Sequence, residues 1–304
     1  MRSARAFRII PRVLCQKLTL IGIGLLGGSL GKAARERRLA PRVEGYVRRP
    51  ASVEECRRAG AVDQATTDLC AAVRGADLVV LCTPLAQMRG LVERFIPALQ
   101  PGAVITDVGS VKDGLVQDLE RLARRAGAHF IGSHPLAGAE KMGVAHARAD
   151  LFVRAVCVVT PTGSSSRAAL RRVRTLWEAL GARTVSLSPG LHDALVSRSS
   201  HLPHVVATQL VNYVLGPDCP KTQALLCANG FRDGTRIASG SPEMWRDIAL
   251  ANRRHLSRTL GAFLRCLQQF QSALRAQDEE AITTFFERAK RRRDAWVRQT
   301  DSPE

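Results

Sequence analysis

Three shortages bound what this chain can be. No stretch approaches eighteen consecutive apolar residues, so no segment is long enough to cross a bilayer as a helix, and no membrane partner is expected. The eight cysteines, at positions 15, 56, 70, 82, 157, 219, 227 and 266, never form a C-x-x-C pair. That argues against a zinc module and against a secreted disulfide framework, and a reducing cytoplasm is the expected compartment. Acidic residues are scarce, 27 against 45 lysines and arginines, which leaves a net charge of +18. Such an excess attracts phosphate at long range. Most of it is spread over helix faces, at 35–38, 121–125 and 171–174, and the one dense run, Lys290 to Arg293, has no nucleic-acid-binding signature beside it. Specific nucleic-acid binding is therefore not expected.

What is present is enough for a sizeable interior. The 304 residues, 45% of them hydrophobic, supply two modest domains or one large one. Residues 1–16 are basic and contain no acid, with Phe7, Ile9 and Ile10 between the charges. They lack a small-residue cleavage site after an apolar core, so an N-terminal arm is expected rather than a targeting peptide.

From Lys17 the pattern is strand, turn, helix. Lys17-Leu-Thr-Leu-Ile runs into Gly22-Ile-Gly-Leu-Leu-Gly27, which is G-x-G-x-x-G between a strand and a helical stretch. Gly22 permits the tight turn, Gly24 lets backbone approach a pyrophosphate, and Gly27 allows close packing of helix on strand. Gly22, Gly24, Leu25 and Gly27 are thus the candidate cofactor contacts. The second strand, Val43 to Val47, should end in an acid if the cofactor is NAD. Val47 stands there instead and is followed by Arg48 and Arg49, two guanidinium groups suited to the extra phosphate of NADP. NADP is the expected cofactor, with NAD the alternative. A third apolar strand ends at Thr83-Pro84, where Pro84 opens a helix at no hydrogen-bonding cost and Thr83 and Pro84 lie beside the cofactor.

Strand 103–107, helix 113–125, strand 154–160, helix 164–181 and strand 183–187 continue the alternation. The expected fold class is therefore α/β, with an N-terminal doubly wound Rossmann domain over residues 17–188. Pro189-Gly190 marks the boundary. From 189 to 304 strand signals vanish, and helices are expected over 202–215, 244–274 and 279–297. Leu256, Leu260, Phe263, Leu264 and Leu267 fall on one helical face, more apolar surface than a small monomeric domain needs. An all-helical substrate and dimerisation domain, and hence a homodimer, is expected.

The residue that organises these parts is His134, at the end of the apolar run Phe130-Ile-Gly-Ser and before a turn rich in glycine. Open α/β sheets bind ligands at such strand ends, and an imidazole of ordinary pKa, about 6.5, accepts a proton at neutral pH. The competing reading is a structural histidine. Ser110 reaches the same rim, to orient the imidazole or the substrate or simply to cap a helix. In the helical half, Ser200-His-Leu-Pro-His204 and Phe231-Arg-Asp-Gly-Thr-Arg236 bring polar groups into an apolar texture. His201, His204 and the planar fork of Arg236 together describe an anion pocket. No third ligand is spaced with the two histidines, so no metal is expected.

These motifs, taken together, resemble the prephenate and arogenate dehydrogenases of tyrosine biosynthesis. The resemblance covers about Lys17 to Arg298 and rests on GIGLLGGS at 22–29, DVGSVK at 107–112, GSHPLAGAEKMG at 132–143, SHLPH at 200–204, and FRDGTRIA with MWRDI at 231–248. It implies a Rossmann domain, a helical dimerisation domain, and oxidative decarboxylation of prephenate or arogenate by NAD(P). By motif position it implies His134 as the catalytic base with Ser110 assisting, and His204 and Arg236 as substrate-binding groups. Glu140 and Asp233 match positions that shape or gate the pocket, and Trp245 matches its wall. The missing acid after the second strand departs from the NAD-dependent relatives. The chain ends soon after its last helix, so a fused mutase or ligand-sensing domain is not expected. Two rival readings stand beside this one: a β-hydroxyacid type of two-domain NADP-dependent dehydrogenase, which usually relies on a lysine in its helical domain, and a non-catalytic protein that binds NADP or nucleic acid.

Overall fold

The computed structural model describes residues 13–138 and 141–301. Most of the N-terminal arm and Glu140 therefore lie outside the described residues. The chain divides into two compact units, Met1–Asn252 and Arg253–Glu304.

The first unit is built on an eight-stranded sheet. In chain order its elements are β1 (Lys17–Ile21), α1 (Leu25–Glu36), β2 (Arg42–Tyr46), α2 (Ala51–Arg58), β3 (Gln64–Thr66), α3 (Leu69–Val73), β4 (Leu78–Leu81) and α4 (Leu85–Phe95). There follow β5 (Val104–Asp107), α5 (Asp113–Arg125), β6 (His129–Pro135), β7 (Val156–Thr160), α6 (Arg167–Ala179) and β8 (Arg183–Ser186). The strand order is β3-β2-β1-β4-β5-β6-β7-β8, so the winding reverses between β1 and β4. That reversal is the switch point at which doubly wound sheets bind dinucleotides. The sheet is parallel except between β6 and β7, which run antiparallel with His134 opposite Val158. The short β3 and α3 were not expected. Three residues of Gln-Ala-Thr carry too little apolar signal to stand out, and the Asp68 carboxylate, which accepts the Ala71 N–H, defines the start of α3.

Side-chain alternation along the strands explains the two cores. Leu78 and Val80 of β4 pack into one, with Leu18, Leu20, Phe152 and Trp177. Val79 and Leu81 pack into the other, with Phe95, Ile105 and Phe130. Adjacent residues facing opposite sides of a pleated strand produce this division. Helices cover both faces because both are apolar.

Four further helices complete the first unit: α7 (Pro189–Val196), α8 (Leu202–Val214), α9 (Asn229–Thr235) and α10 (Pro242–Ala251). A π-turn, Ser197–His201, joins α7 to α8. Ser188 and Ser241 cap α7 and α10, each followed by proline at the first helical position. The second unit comprises α11 (Arg253–Ala276) and α12 (Glu279–Asp301), joined through Phe270, whose ring lies 4.4 Å from that of Phe285. Leu264, Leu267, Leu274, Phe286 and Trp296 of this unit are exposed. The continuous helix expected over 244–274 is two helices, because Asn252 leaves helical geometry and spends its amide on other partners. Among the described residues no helix is long and apolar enough to cross a membrane.

The glycine turn shows how closely α1 sits on the sheet. Gly22 has φ +97°, a conformation that disfavours any side chain. A Cβ on Gly27 would stand 2.1 Å from the Gly22 carbonyl oxygen, and one on Gly31 would stand 2.0 Å from the Ala61 carbonyl oxygen. Both obstacles are backbone, so neither yields cheaply. Gly31→Ala is expected to lower stability by about 1–3 kcal/mol through overpacking. A denaturation midpoint equal to that of the unsubstituted protein would contradict the packing described here.

Candidate active site

The strand ends at the switch point carry the expected cofactor residues. Ile21 is in register with Tyr46 on one side and Leu81 on the other, so Gly22, the 47–49 segment and Cys82-Thr83-Pro84 all follow at one sheet edge. A Cβ on Gly24 would meet nothing within 4 Å, and no side chain caps the N-terminus of α1 that begins there. The Thr83 hydroxyl is buried with no partner among the described residues. An open glycine, uncapped helix N–H groups and an orphaned hydroxyl fit a dinucleotide phosphate, which supplies the acceptors these donors lack. Arg48 and Arg49 are exposed at the end of β2, and Arg49 reaches the Ser52 hydroxyl at 3.4 Å.

Around His134 the arrangement is dense and almost wholly buried. His134 lies within β6 rather than after it, since pairing with β7 prolongs the strand to Pro135. Its Nδ1 is 2.9 Å from Nε2 of His192, on α7. His192 Nδ1 is 2.7 Å from Oδ1 of Asp193. That carboxylate also accepts the backbone N–H of Lys112 at Oδ1 and of Asp113 at Oδ2, each at 2.8 Å, and so caps α5 from another helix. Asn252 completes the chain. Its amide nitrogen donates to the Asp193 carbonyl oxygen at 2.9 Å and to His201 Nδ1 at 3.1 Å. His201 therefore carries its proton on Nε2, which has no partner among the described residues.

Beneath these groups lies a fully buried ion pair. The Lys112 ammonium bonds the Asp107 carboxylate and the Ser133 carbonyl oxygen. Asp107 accepts the N–H groups of Gly109 and Ser133, and the Ser133 hydroxyl accepts the Trp177 indole N–H at 3.0 Å. Every contact holds the 108–112 turn and β6 in one register. Removing either charged partner would leave an uncompensated buried charge, at a cost of about 3–5 kcal/mol.

A second cluster surrounds Trp245 of α10. His204 stacks on its ring at 3.5 Å, and His201 approaches it edge-on at 6.1 Å. Gly240 makes room, since a Cβ there would stand 2.7 Å from the Trp245 indole nitrogen.

The structure thus joins His134 to His192 and Asp193, and His201 to His204 and Trp245, with Asn252 linking the two groups. Ser110 is half-buried in the turn after β5, but the Nδ1 contact that orients the imidazole is made by His192. Asp233 and Arg236 are exposed, at the end of α9 and just beyond it. His192, Asp193 and Asn252 were missed by sequence reasoning, and Lys112 was seen only as part of a motif. The start signal Ser188-Pro189 would have placed His192 and Asp193 one turn into a helix, but their partners are far away in sequence.

The electrostatics differ from the expectation of an ordinary imidazole. Burial lowers the His134 pKa well below its usual value, and the nearby His192, Lys112 and His201 act in the same direction. Burial likewise lowers His201, to about 4, although Asp193 opposes the shift. Both rings are neutral at pH 7. An unfolded histidine takes its proton near pH ~6.5, whereas His201 in the fold does so near pH 4. Between those values the unfolded chain binds more protons, so stability is complete above the interval and is lost as pH falls through it. The denaturation midpoint should drop on going from pH 7 to pH 5, with a shallower drop for His201→Gln. A midpoint that holds or rises on acidification would contradict the burial of these rings.

Comparison with known proteins converges on the same elements. The model of the prephenate dehydrogenase nucleotide-binding domain matches residues 30–186, and that of the prephenate dehydrogenase dimerization domain matches 188–288. The chain is 32% identical to a cyclohexadienyl dehydrogenase of Zymomonas mobilis over 279 residues, covering 91% of this chain and 94% of the relative. It superposes on the crystal structure of Aquifex aeolicus prephenate dehydrogenase, in complex with hydroxyphenyl propionate and NAD+, with a TM-score of 0.86 at 32% identity, covering 92% and 98% of the two chains. For Synechocystis arogenate dehydrogenase the TM-score is 0.79 at 30% identity, with 92% and 99% covered. In its nucleotide-binding and dimerization regions alike, this chain belongs to the prephenate dehydrogenase family of oxidoreductases.

Proposed function

We propose that the chain catalyses the NADP-dependent oxidative decarboxylation of a cyclohexadienyl carboxylate, prephenate or arogenate, to 4-hydroxyphenylpyruvate or tyrosine. The observation that carries this reading is the buried, neutral imidazole of His134, with Nδ1 engaged by His192 and Nε2 left for the substrate. Nε2 accepts the proton of the ring hydroxyl, and the growing negative charge on that oxygen favours departure of hydride from the same carbon. A bound oxidised nicotinamide supplies the hydride acceptor. Loss of the ring carboxylate as carbon dioxide leaves an aromatic ring, so the chain needs no further group to activate that step. Ser110, at the same rim, is placed here beside the reacting hydroxyl.

Substrate recognition is assigned to the second cluster. Trp245 with its stacked His204 forms an apolar wall with a polar edge, and the His201 Nε2–H is a buried donor awaiting an acceptor. Arg236 is assigned to a substrate carboxylate, which its planar fork matches. Glu140 and Asp233 are assigned to the pocket's margin. Arg48 and Arg49 are assigned to the 2′-phosphate of NADP, because Val47, not an acid, stands at the end of β2 where a ribose-binding acid would be. We further propose a homodimer formed through the exposed apolar residues of α11 and α12, and a working division near residue 188 between the dinucleotide-binding and substrate-binding parts.

The test is formation of reduced nicotinamide from prephenate and from arogenate, each with NAD and with NADP. Turnover is expected with NADP preferred, and Arg48→Ala with Arg49→Ala should erase that preference while leaving NAD turnover in place. His134→Gln should lower kcat by about 10²- to 10⁴-fold with dinucleotide affinity unchanged. Preference for NAD would overturn the assignment of the two arginines, and silence in all four combinations from protein that binds a dinucleotide would overturn the reaction.

A further inference from the structure

We propose that His192 and Asp193 are positioning residues that set the tautomer of His134, so that its Nε2 always faces the substrate as a bare acceptor. The inference rests on the reading of His134 as the base, and it concerns what makes that base usable. A neutral imidazole has one N–H and one lone pair, and which nitrogen carries the proton is decided by its partners. Asp193 is the fixed end of the chain. Its carboxylate already accepts two backbone N–H groups, from Lys112 and Asp113, so it meets His192 as an acceptor. His192 Nδ1, 2.7 Å away, must then be the N–H donor, which leaves Nε2 of a neutral His192 ring as a lone pair. That lone pair is 2.9 Å from His134 Nδ1, which must in turn carry the proton. For a neutral His192 ring only one assignment satisfies every contact, and it places the free lone pair of His134 on Nε2.

The rigidity of the chain makes this more than a snapshot. His192 and Asp193 are essentially inaccessible to water, and the His134 and His192 rings meet nearly edge-on, at 75°. Asp193 is held from both sides, by the N-terminus of α5 and by the Asn252 amide on its backbone carbonyl. A flipped His192 ring would place a carbon where the Asp193 carboxylate now finds an N–H, leaving a buried acceptor short of one bond. The other groups that lower the His134 pKa do not choose the tautomer themselves. Lys112 bonds Asp107 and the Ser133 carbonyl, and His201 is bonded to Asn252. When His134 takes the substrate proton, the Nδ1–H is already in place, and the new charge lies two hydrogen bonds from a carboxylate. Proton transfer along the chain is not required.

Two measurements test this. In protein labelled with 15N-histidine, long-range 1H–15N correlation spectra at pH 7.5 report the tautomer of each ring directly, and His134→Gln assigns the His134 signals by difference. The Nδ1–H form is expected for His134, shifting towards Nε2–H in His192→Leu, which offers no acceptor. In steady-state assays with prephenate and with arogenate, His192→Leu should lose kcat by about 10- to 100-fold. Its KM and its dinucleotide affinity should stay within about threefold, since a positioning loss falls on the chemical step. His192→Gln presents an amide oxygen near the lost Nε2 and should recover most of the activity and the Nδ1–H form. An Nε2–H tautomer at His134 in the unsubstituted protein would overturn the proposal even if no His192 variant folds. So would full kcat in His192→Leu beside an inactive His134→Gln, a result that keeps the base and removes the relay. Full turnover in His134→Gln would instead refute the base reading on which the relay depends.

Discussion

The Asp193 carboxylate is the constraint on which the rest of the site depends. With one group it caps α5, ties α7 to the turn after β5 and fixes the ring of His192. A helix N-terminus carries several N–H groups that need acceptors, and here the acceptor comes from another element about 80 residues away in the chain. The cap is therefore also the link between the sheet and the helices that follow it. The carboxylate that caps α5 is the one that holds the imidazole pair in place.

A second polar frame supports this one from below. Lys112, Asp107, Ser133 and Trp177 bond one another in a volume closed to water, and buried charges survive there only because each finds partners. Lys112 takes part in both frames, giving its ammonium to Asp107 and its backbone N–H to Asp193. The position of His134 is thus determined twice, through its backbone in β6 and through its ring by His192. This double fixation keeps a neutral imidazole in an enclosed, positively biased setting where an unbraced ring would be free to turn.

Much of this was legible in the residues, and the boundary of what was legible is physical. The Gly22 to Gly27 turn, the Thr83-Pro84 edge and the alternation of apolar runs carry local signals, and the doubly wound α/β class follows from them. His134 stood out because a histidine ends an apolar run before a glycine-rich turn. Asp193 and Asn252 did not stand out. Apart from the bond between the adjacent His192 and Asp193, their side-chain hydrogen bonds span 51 to 81 residues, and nothing local announces a cap that reaches another helix. The lowered pKa of His134 was equally invisible, since burial and neighbouring charge are properties of the folded site. The antiparallel β6–β7 pairing was hidden for a related reason: the apolar pattern of a buried strand is the same in either direction.

On the proposed reading, His134 meets the ring hydroxyl through Nε2. That reading is tested most directly by a crystal structure of the protein with an oxidised nicotinamide dinucleotide and hydroxyphenyl propionate, a phenol that stands in for the aromatised ring. The phenolic oxygen is expected at about 2.6–3.2 Å from His134 Nε2, with the His134 to His192 contact intact. A phenolic oxygen bonded elsewhere, with His134 Nε2 facing protein alone, would contradict it.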